Sequence, residues 1–550
     1  MNSHTEPLPF NPVNDSSTKT AAGHFPTFRR MFGWLFSWRA IRRCLFAAAC
    51  LATLIALFYA EENWRGRHAW GQYRRDLEAR GEQLDFRAFI PKPVPDDQNF
   101  AATPFIKSWF LKENLASDGN SKLWQDDYMR IGYVSPLNSA SKGDRHFVNL
   151  VAFGMGFEAV RSGRLKPHQE FNSDKHDPES RAKAAPAVLE GLKASETNLA
   201  ELRAASRRPY SRYPVVYDLD NPWGILVPHL APIKGVVQRL RLRACAELAA
   251  GHSENALEDV KLMLVTADSL KDEPILVSYL VRLACMEIAI QPVWEGLAEH
   301  RWSDSQLQEC QSRLQQYDFL ADMKRPLDGE RAAGILTADL LYRQKYRVGE
   351  LELFGFDAPD PTGGGVVNLV SRAAPHGWYY QEQLNYCRLY ENQLGGTFDA
   401  TKKRVFPGQI QTRAHELERE IAGGRLGKTL NAVVHHQLLA AMLLPALGNL
   451  PLKAAMGQTT TDHAALACAL ERFRLANGQF PEKLDALVPR FSPQLPNDVI
   501  TGQSFKYRRT DDGRFLLYSV GWNEKDDGGT PGKMLFDEKQ GDWVWRYSAE

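Results

Sequence analysis

The hydrophobic and polar positions divide this chain into stretches of different kinds. From Cys44 to Ala60 it reads CLFAAACLATLIALFYA, seventeen residues without a charge, bounded by Arg42-Arg43 before and Glu61-Glu62 after. At about 1.5 Å per residue such a helix covers roughly 25 Å, near the lower limit for crossing a hydrocarbon core. Trp34, Trp38 and Tyr59 fall where amphipathic rings favour the two interfaces. The pattern predicts a transmembrane helix over 44–60. A cleaved signal would want small residues before the cut, where Phe58-Tyr59-Ala60 stands. A lipoprotein site at Ala48-Ala49-Cys50 is disfavoured because most of the apolar run follows that cysteine.

Beyond the apolar run the period changes. Trp64, His68, Tyr73 and Leu77 recur every three to five residues and predict a helix from Glu61 to Arg80, stopped at Gly81. Pro91, Pro93 and Pro95 then force an extended linker, and Asp96-Asp97 are expected to cap a short helix holding Phe105, Ile106, Trp109 and Phe110. A juxtamembrane helix and linker thus occupy 61–112. The stretch 113–185 reads as loops between short helices. Ala184–Leu202 is helical, and Pro209 and Pro214 break the run that follows it.

The strongest helical signal covers Pro232–Ala250, a helix capped by Ser253, a third opened by Pro274, and a fourth after Ser303-Asp304 bearing Leu307, Leu314 and Phe319. Ala244 to Asp259, turning at Gly251, resembles one tetratricopeptide unit, whereas a solenoid needs about three. Gly363-Gly364-Gly365 marks a loop without phosphate-loop spacing. Leu430–Leu447 is apolar but holds His435, His436, Gln437 and Pro445, so it reads as a buried helix. The expected fold is mainly α: a transmembrane helix, a weakly tetratricopeptide-like helical body over 113–450, and a small α+β module over 461–550 with a β-hairpin.

Composition narrows the function without naming it. Lys plus Arg number 67 against 66 Asp plus Glu, which leaves no global field for nucleic acid. Seven cysteines stand singly, with no C-x-x-C, so neither a disulfide framework nor structural zinc is expected. Residues 1–30, poor in strong apolar positions, read as a disordered cytoplasmic tail. Five arginines (29, 30, 39, 42, 43) precede the apolar run and four (65, 67, 74, 75) follow it within fifteen residues. The positive-inside rule thus places the N-terminus in the cytoplasm and the C-terminal bulk outside.

In the C-terminal module Thr461-Asp462 are expected to cap a helix through Ala476. After it, Phe505-Lys-Tyr-Arg-Arg, a turn at Asp511-Asp512-Gly513 and Phe515-Leu-Leu-Tyr-Ser-Val predict an antiparallel hairpin. The sequences ANGQFPEKLDAL, LPNDVITGQSFKY and YSVGWNEKDDGG before Asp542-Trp543 resemble the C-terminal half of type II secretion major pseudopilins, over 461–545. That resemblance implies calcium in the last loop, with Asn523, Asp526, Asp527 and Asp542 as oxygen donors. The other reading of the same loop is a solvated turn. The pseudopilin Gly-Phe leader and the Glu five residues into its apolar helix have no counterpart, since Gly33 precedes Trp34 and 44–60 holds no Glu. Over its whole length the chain resembles bacterial membrane-anchored proteins of unknown function.

No catalytic residues emerge. His435-His436 point about 100° apart on a helix, and His415-Glu416 has Arg419 where a zincin needs its second histidine. His463 beside Asp462 is a weak metal candidate. Trp223, Trp294, Trp378, Tyr379, Tyr380 and Trp543 either line a groove or fill the core. The expectation is a single-pass scaffold or interaction protein of the bacterial inner membrane with envelope proteins as partners. An envelope hydrolase and a secretion-apparatus component stand as alternatives.

Overall fold

The computed structural model describes residues 38–111, 128, 145–166, 169, 171, 173–343, 374–422 and 435–547. The expected tail over 1–30 and the triple-glycine loop lie outside them. The chain divides into two units, Met1–Trp64 and Arg65–Glu550.

The described part of the first unit is the beginning of one helix, α1 (Trp38–Ala79). From Cys44 to Phe58 every side chain is exposed, and the most apolar eighteen-residue window has none of its residues buried. This helix is long and apolar enough to cross a membrane. Water is a poor solvent for such a surface, at about 25 cal/mol per Å² of apolar area.

The second unit opens with the remainder of α1, whose Trp70 and Leu77 are buried. Its end is the expected one: Gly81 takes φ 83°, Gly81 N donates to Glu78 O and Glu82 N to Leu77 O, a closure that needs a left-handed residue. Asp96 and Asp97, however, only start a single 3-10 turn. The helix carrying Phe105 and Ile106 is α2 (Pro104–Ser108), and its cap is Thr103, whose hydroxyl accepts from Ile106 N at 3.2 Å. The proline at the first helical position favours that start over the aspartates.

The body continues with α3 (Leu150–Arg161), α4 (Pro178–Leu192), α5 (Glu196–Ala205), α6 (Leu230–Ala249) and α7 (Ser253–Asp268). It then runs through α8 (Leu276–Ala298), α9 (Asp304–Leu314), α10 (Phe319–Asp322), α11 (Lys324–Tyr342) and α12 (His376–Leu394). Gly251, at φ 84°, turns α6 back onto α7, and α8 packs on both. Ser253 does not cap α7; its hydroxyl accepts from Gln306 Nε2 at 3.1 Å. Ser303 does cap α9, through a reciprocal box with Gln306. Phe319, expected in that helix, belongs to α10.

A two-stranded pair, β1 (Phe398–Asp399) and β2 (Arg404–Val405), leads to α13 (Pro407–Ala422), α14 (Leu438–Leu447) and α15 (Leu450–Asn477). Thr461 and Asp462 lie inside α15, buried, and cap nothing. The start is set instead by Asn449-Leu450-Pro451, with the proline in the first turn. Strands β3 (Lys506–Arg509), β4 (Phe515–Ser519) and β5 (Trp543–Trp545) form an antiparallel sheet in the order β3-β4-β5, its hairpin turning at Gly513 (φ 78°). All five β4 residues are buried, because Leu516 and Tyr518 face Val544 on one side while Phe515 and Leu517 join the main core on the other. That core runs without interruption from Trp70 to Trp545, and α15 links the helices to the sheet.

Candidate functional site

A cavity of about 790 Å³ opens between α13, α14 and the loop before β5. The wall from α13 follows directly from sequence: Ile410, Ala414, Leu417 and Ile421 recur at intervals of four, three and four, one face of a helix. Opposite them stand Leu438, Met442 and Pro445, with Trp522 at the floor. The rim is polar, with Glu418, Glu538 and Lys539 exposed. Reading the sequence missed this cleft; the spacing within α13 was the available signal, but its partners lie far along the chain.

The cleft wall α14 is fixed by a carboxylate. Glu382 of α12 accepts from Leu438 N at 3.0 Å and Leu439 N at 3.3 Å, taking the place of a capping side chain. Burial pushes this carboxyl up to about 7, against the pull of those two N–H groups. Glu330 holds Leu276 N at 3.1 Å in the same manner at the start of α8, and burial likewise raises it to about 7.

Chemistry-bearing groups are abundant elsewhere but sealed. His229, wholly buried, has its ring stacked on Tyr213 (centroids 4.3 Å apart) and Phe110 (5.6 Å). Its Nε2 lies 2.9 Å from Glu273 Oε1 without hydrogen-bond alignment. Ser278 donates to Glu273, not to the histidine, so the serine and His229 do not form a pair. Arg181 sits between Glu295 and Glu299, and Asp259 between Arg203 (2.8 Å) and Arg243 (2.6 Å). These networks satisfy buried charge, which costs several kcal/mol per ion when unpaired.

The residues singled out by sequence scatter. His463 lies within α15, its ring edge-on to Phe505 at 4.8 Å, and burial holds it down at about 3. Asp462 takes Gln458 Nε2 at 3.1 Å and is raised by burial to about 7. His435 is exposed, whereas His436 packs on Trp378. His415 and Glu416 lie on α13. Trp294 and Trp543 fill the core, donating to Arg546 O and Asp537 O, while Trp223 donates to Thr337. Only Trp378, Tyr379 and Tyr380 form a partly exposed aromatic group.

The four calcium candidates share one loop and hydrogen-bond within it. Asp542 accepts from Asp527 N (3.1 Å) and Gly529 N (2.6 Å). Asp526 accepts from Gly528 N and Tyr518 Oη, each at 3.1 Å, and pairs with Lys506 at 3.2 Å. Asn523 Nδ2 donates to Asp527 at 2.9 Å. Among the described residues no group of three or more His, Cys, Asp and Glu is arranged to hold a metal ion. Backbone N–H groups, the usual partners of carboxylates in Asp-Gly turns, reach Asp526 and Asp542, while side chains of Lys506 and Asn523 reach Asp526 and Asp527.

Comparison with protein-family models, with curated proteins and with solved structures gave no match.

Proposed function

We propose that this chain is a single-pass protein of the bacterial inner membrane, N-terminus in the cytoplasm, whose extracytoplasmic unit works by binding other envelope components. The observation that carries the reading is the wholly exposed, uncharged helix over Cys44–Phe58 joined to a folded unit with its own continuous core. Binding is favoured over catalysis because the open cleft is mainly apolar, while the described histidine–carboxylate pairs His229–Glu273, His252–Glu247 and His300–Glu471 lie off it. The tetratricopeptide-like turn at Gly251 would suit a partner-binding body. A helix followed by a three-stranded antiparallel sheet is what a pseudopilin-like tail would require.

One observation favours a hydrolase instead: two exposed carboxylates, Glu418 and Glu538, rim the same cleft, and hydrolysis of a glycosidic bond uses a pair of carboxyl groups. The two readings separate in one series. Carbonate-washed membranes should retain the full chain, and externally added protease should reach the second unit in spheroplasts. A partner retained by the wild type and lost from Met442→Arg supports binding. Cleavage of envelope polymer abolished by Glu538→Gln would establish the hydrolase.

A further inference from the structure

In the second unit α12 runs alongside α1 in the same direction. A Cβ on Gly66 would meet the carbonyl oxygen of Gly377 at 2.2 Å, Arg67 lies over the Tyr380 ring at 5.9 Å, and Arg388 over Tyr73 at 5.6 Å. Further on, both Tyr73 and Arg80 bind Glu391. The first turn of α12 is therefore level with Gly66, near the point where the chain enters this unit. The covalent chain alone keeps that point close to the apolar stretch. Gly66 is six residues from Ala60, at most roughly 20 Å of chain, and the polar layer on each side of a hydrocarbon core is about 5–8 Å thick.

The side chains gathered there have the chemistry of an interface. Trp378, Tyr379 and Tyr380 are half-exposed, and Tyr342, at the end of α11, packs edge-on to His376 (4.9 Å) and Tyr379 (5.9 Å). Around these rings Arg67, Arg343, His376 and His435 are exposed. Among the described residues beside it, Glu382 is engaged on α14, Asp339 with Gln383 Nε2 (2.8 Å), and Glu420 with Gln437 Nε2 (3.1 Å). Half-buried Trp and Tyr with arginines beside them fit the headgroup level, where one end of each ring is apolar and the other wet.

We propose that this aromatic–cationic face, from the first turn of α12 with Tyr342 and Arg343, lies on the headgroup layer of an anionic bilayer and sets how the second unit rests on its membrane. The inference rests on the membrane-anchored reading above. A bare tether would leave the unit free to swing; a seated face would present the cleft at a fixed height.

The test uses the full chain in vesicles of equal parts phosphatidylcholine and phosphatidylglycerol carrying a headgroup spin label, with Cys44→Ala and Cys50→Ala removing the two exposed thiols. A fluorophore is placed at His376→Cys or, as control, at Lys402→Cys, an exposed site in the β1–β2 turn that follows α12, a helix roughly 28 Å long. The expected result is quenching several-fold stronger at 376 than at 402. It should weaken in high salt and in the Arg67→Gln plus Arg343→Gln variant, as charge attraction to anionic lipid requires. Equal quenching at both sites in carbonate-resistant protein overturns the seated face and leaves the anchor standing. Release of the chain by carbonate overturns both. Equal quenching at 376 in purely phosphatidylcholine vesicles overturns the anionic preference.

Discussion

Three stretches of helix among the described residues are long and apolar enough to cross a membrane: Ile41–Ala79, Leu276–Ala298 and Leu438–Asn477. The most apolar window of the first has no buried residue, whereas those of the other two are 61% buried. The difference lies in their few polar side chains. Between Cys44 and Ala60 no charge needs a partner. In α8, Arg282 reaches Asp268 at 2.9 Å and Asp322 at 2.8 Å, and Glu295 meets Arg181 and Val148 N. Hydrocarbon offers no such partners, so each ion would cost several kcal/mol there. Apolar composition says a helix will leave water; the companions of its minority charges decide whether it enters lipid or protein.

The comparison is broken most directly at Arg181, whose loss strands Glu295 with 1% of its side chain exposed. Arg181→Met is expected to lower stability by about 3–5 kcal/mol, read as a shift in the urea midpoint of the solubilised protein. Adding Glu295→Gln should recover much of it. A cost under about 1 kcal/mol would mean that paired charge is not what keeps α8 in the interior. The mirror experiment is Leu54→Arg, at a position 64% exposed. It should penalise membrane insertion by about 2.5–3.5 kcal/mol, seen as a lower carbonate-resistant fraction, while the melting of the second unit stays put.

A third test probes the polar run within α15, Gln458 to His463, every member of which is buried. His463 Nε2 has no hydrogen-bond partner among the described residues, and burial, aided by the charge of Arg145, depresses its basicity to about 3. The folded state thus binds its proton later than the unfolded state, whose histidine titrates near 6.5. Stability from this site is complete above that pH and is lost as pH falls toward 3. At pH 4.5 the loss amounts to about 2–3 kcal/mol. His463→Leu should remove that part of the acid sensitivity; an unchanged pH profile would show that the ring is protonated or reached by water in the fold.

Legibility followed the same line. The uncharged stretch, the stop at Gly81, the helix start at Ser303-Asp304 and the hairpin at Gly513 were readable because each is decided by neighbours within a few residues. The start of α15 was not. Thr461-Asp462 has the look of a cap, but Gln458 supplies Asp462 with a partner and itself accepts Phe319 N at 2.9 Å, so tertiary contacts carry the helix through both. The cleft and the Glu382 clamp on α14 were invisible for the same reason, since the two N–H groups it holds lie 56 and 57 positions along the chain.

The smallest expected effect concerns the loop before β5, where the question is again which partner satisfies a carboxylate. Asp542 is 1% exposed and takes two backbone N–H groups, so Asp542→Asn should cost about 1–2 kcal/mol by weakening one charge-assisted bond and leaving a donor unmet. Burial raises this carboxyl above its ordinary range, so its contribution favours the protonated fold and does not add to stability at higher pH. If N–H groups hold the loop, a chelator leaves the melting temperature of wild type and variant alike. If calcium holds it, the chelator lowers the wild type toward the variant and hardly moves the variant, because an ion stabilises only the state that binds it. The pair of melting curves therefore tells a turn closed by its own backbone from one that borrows a cation.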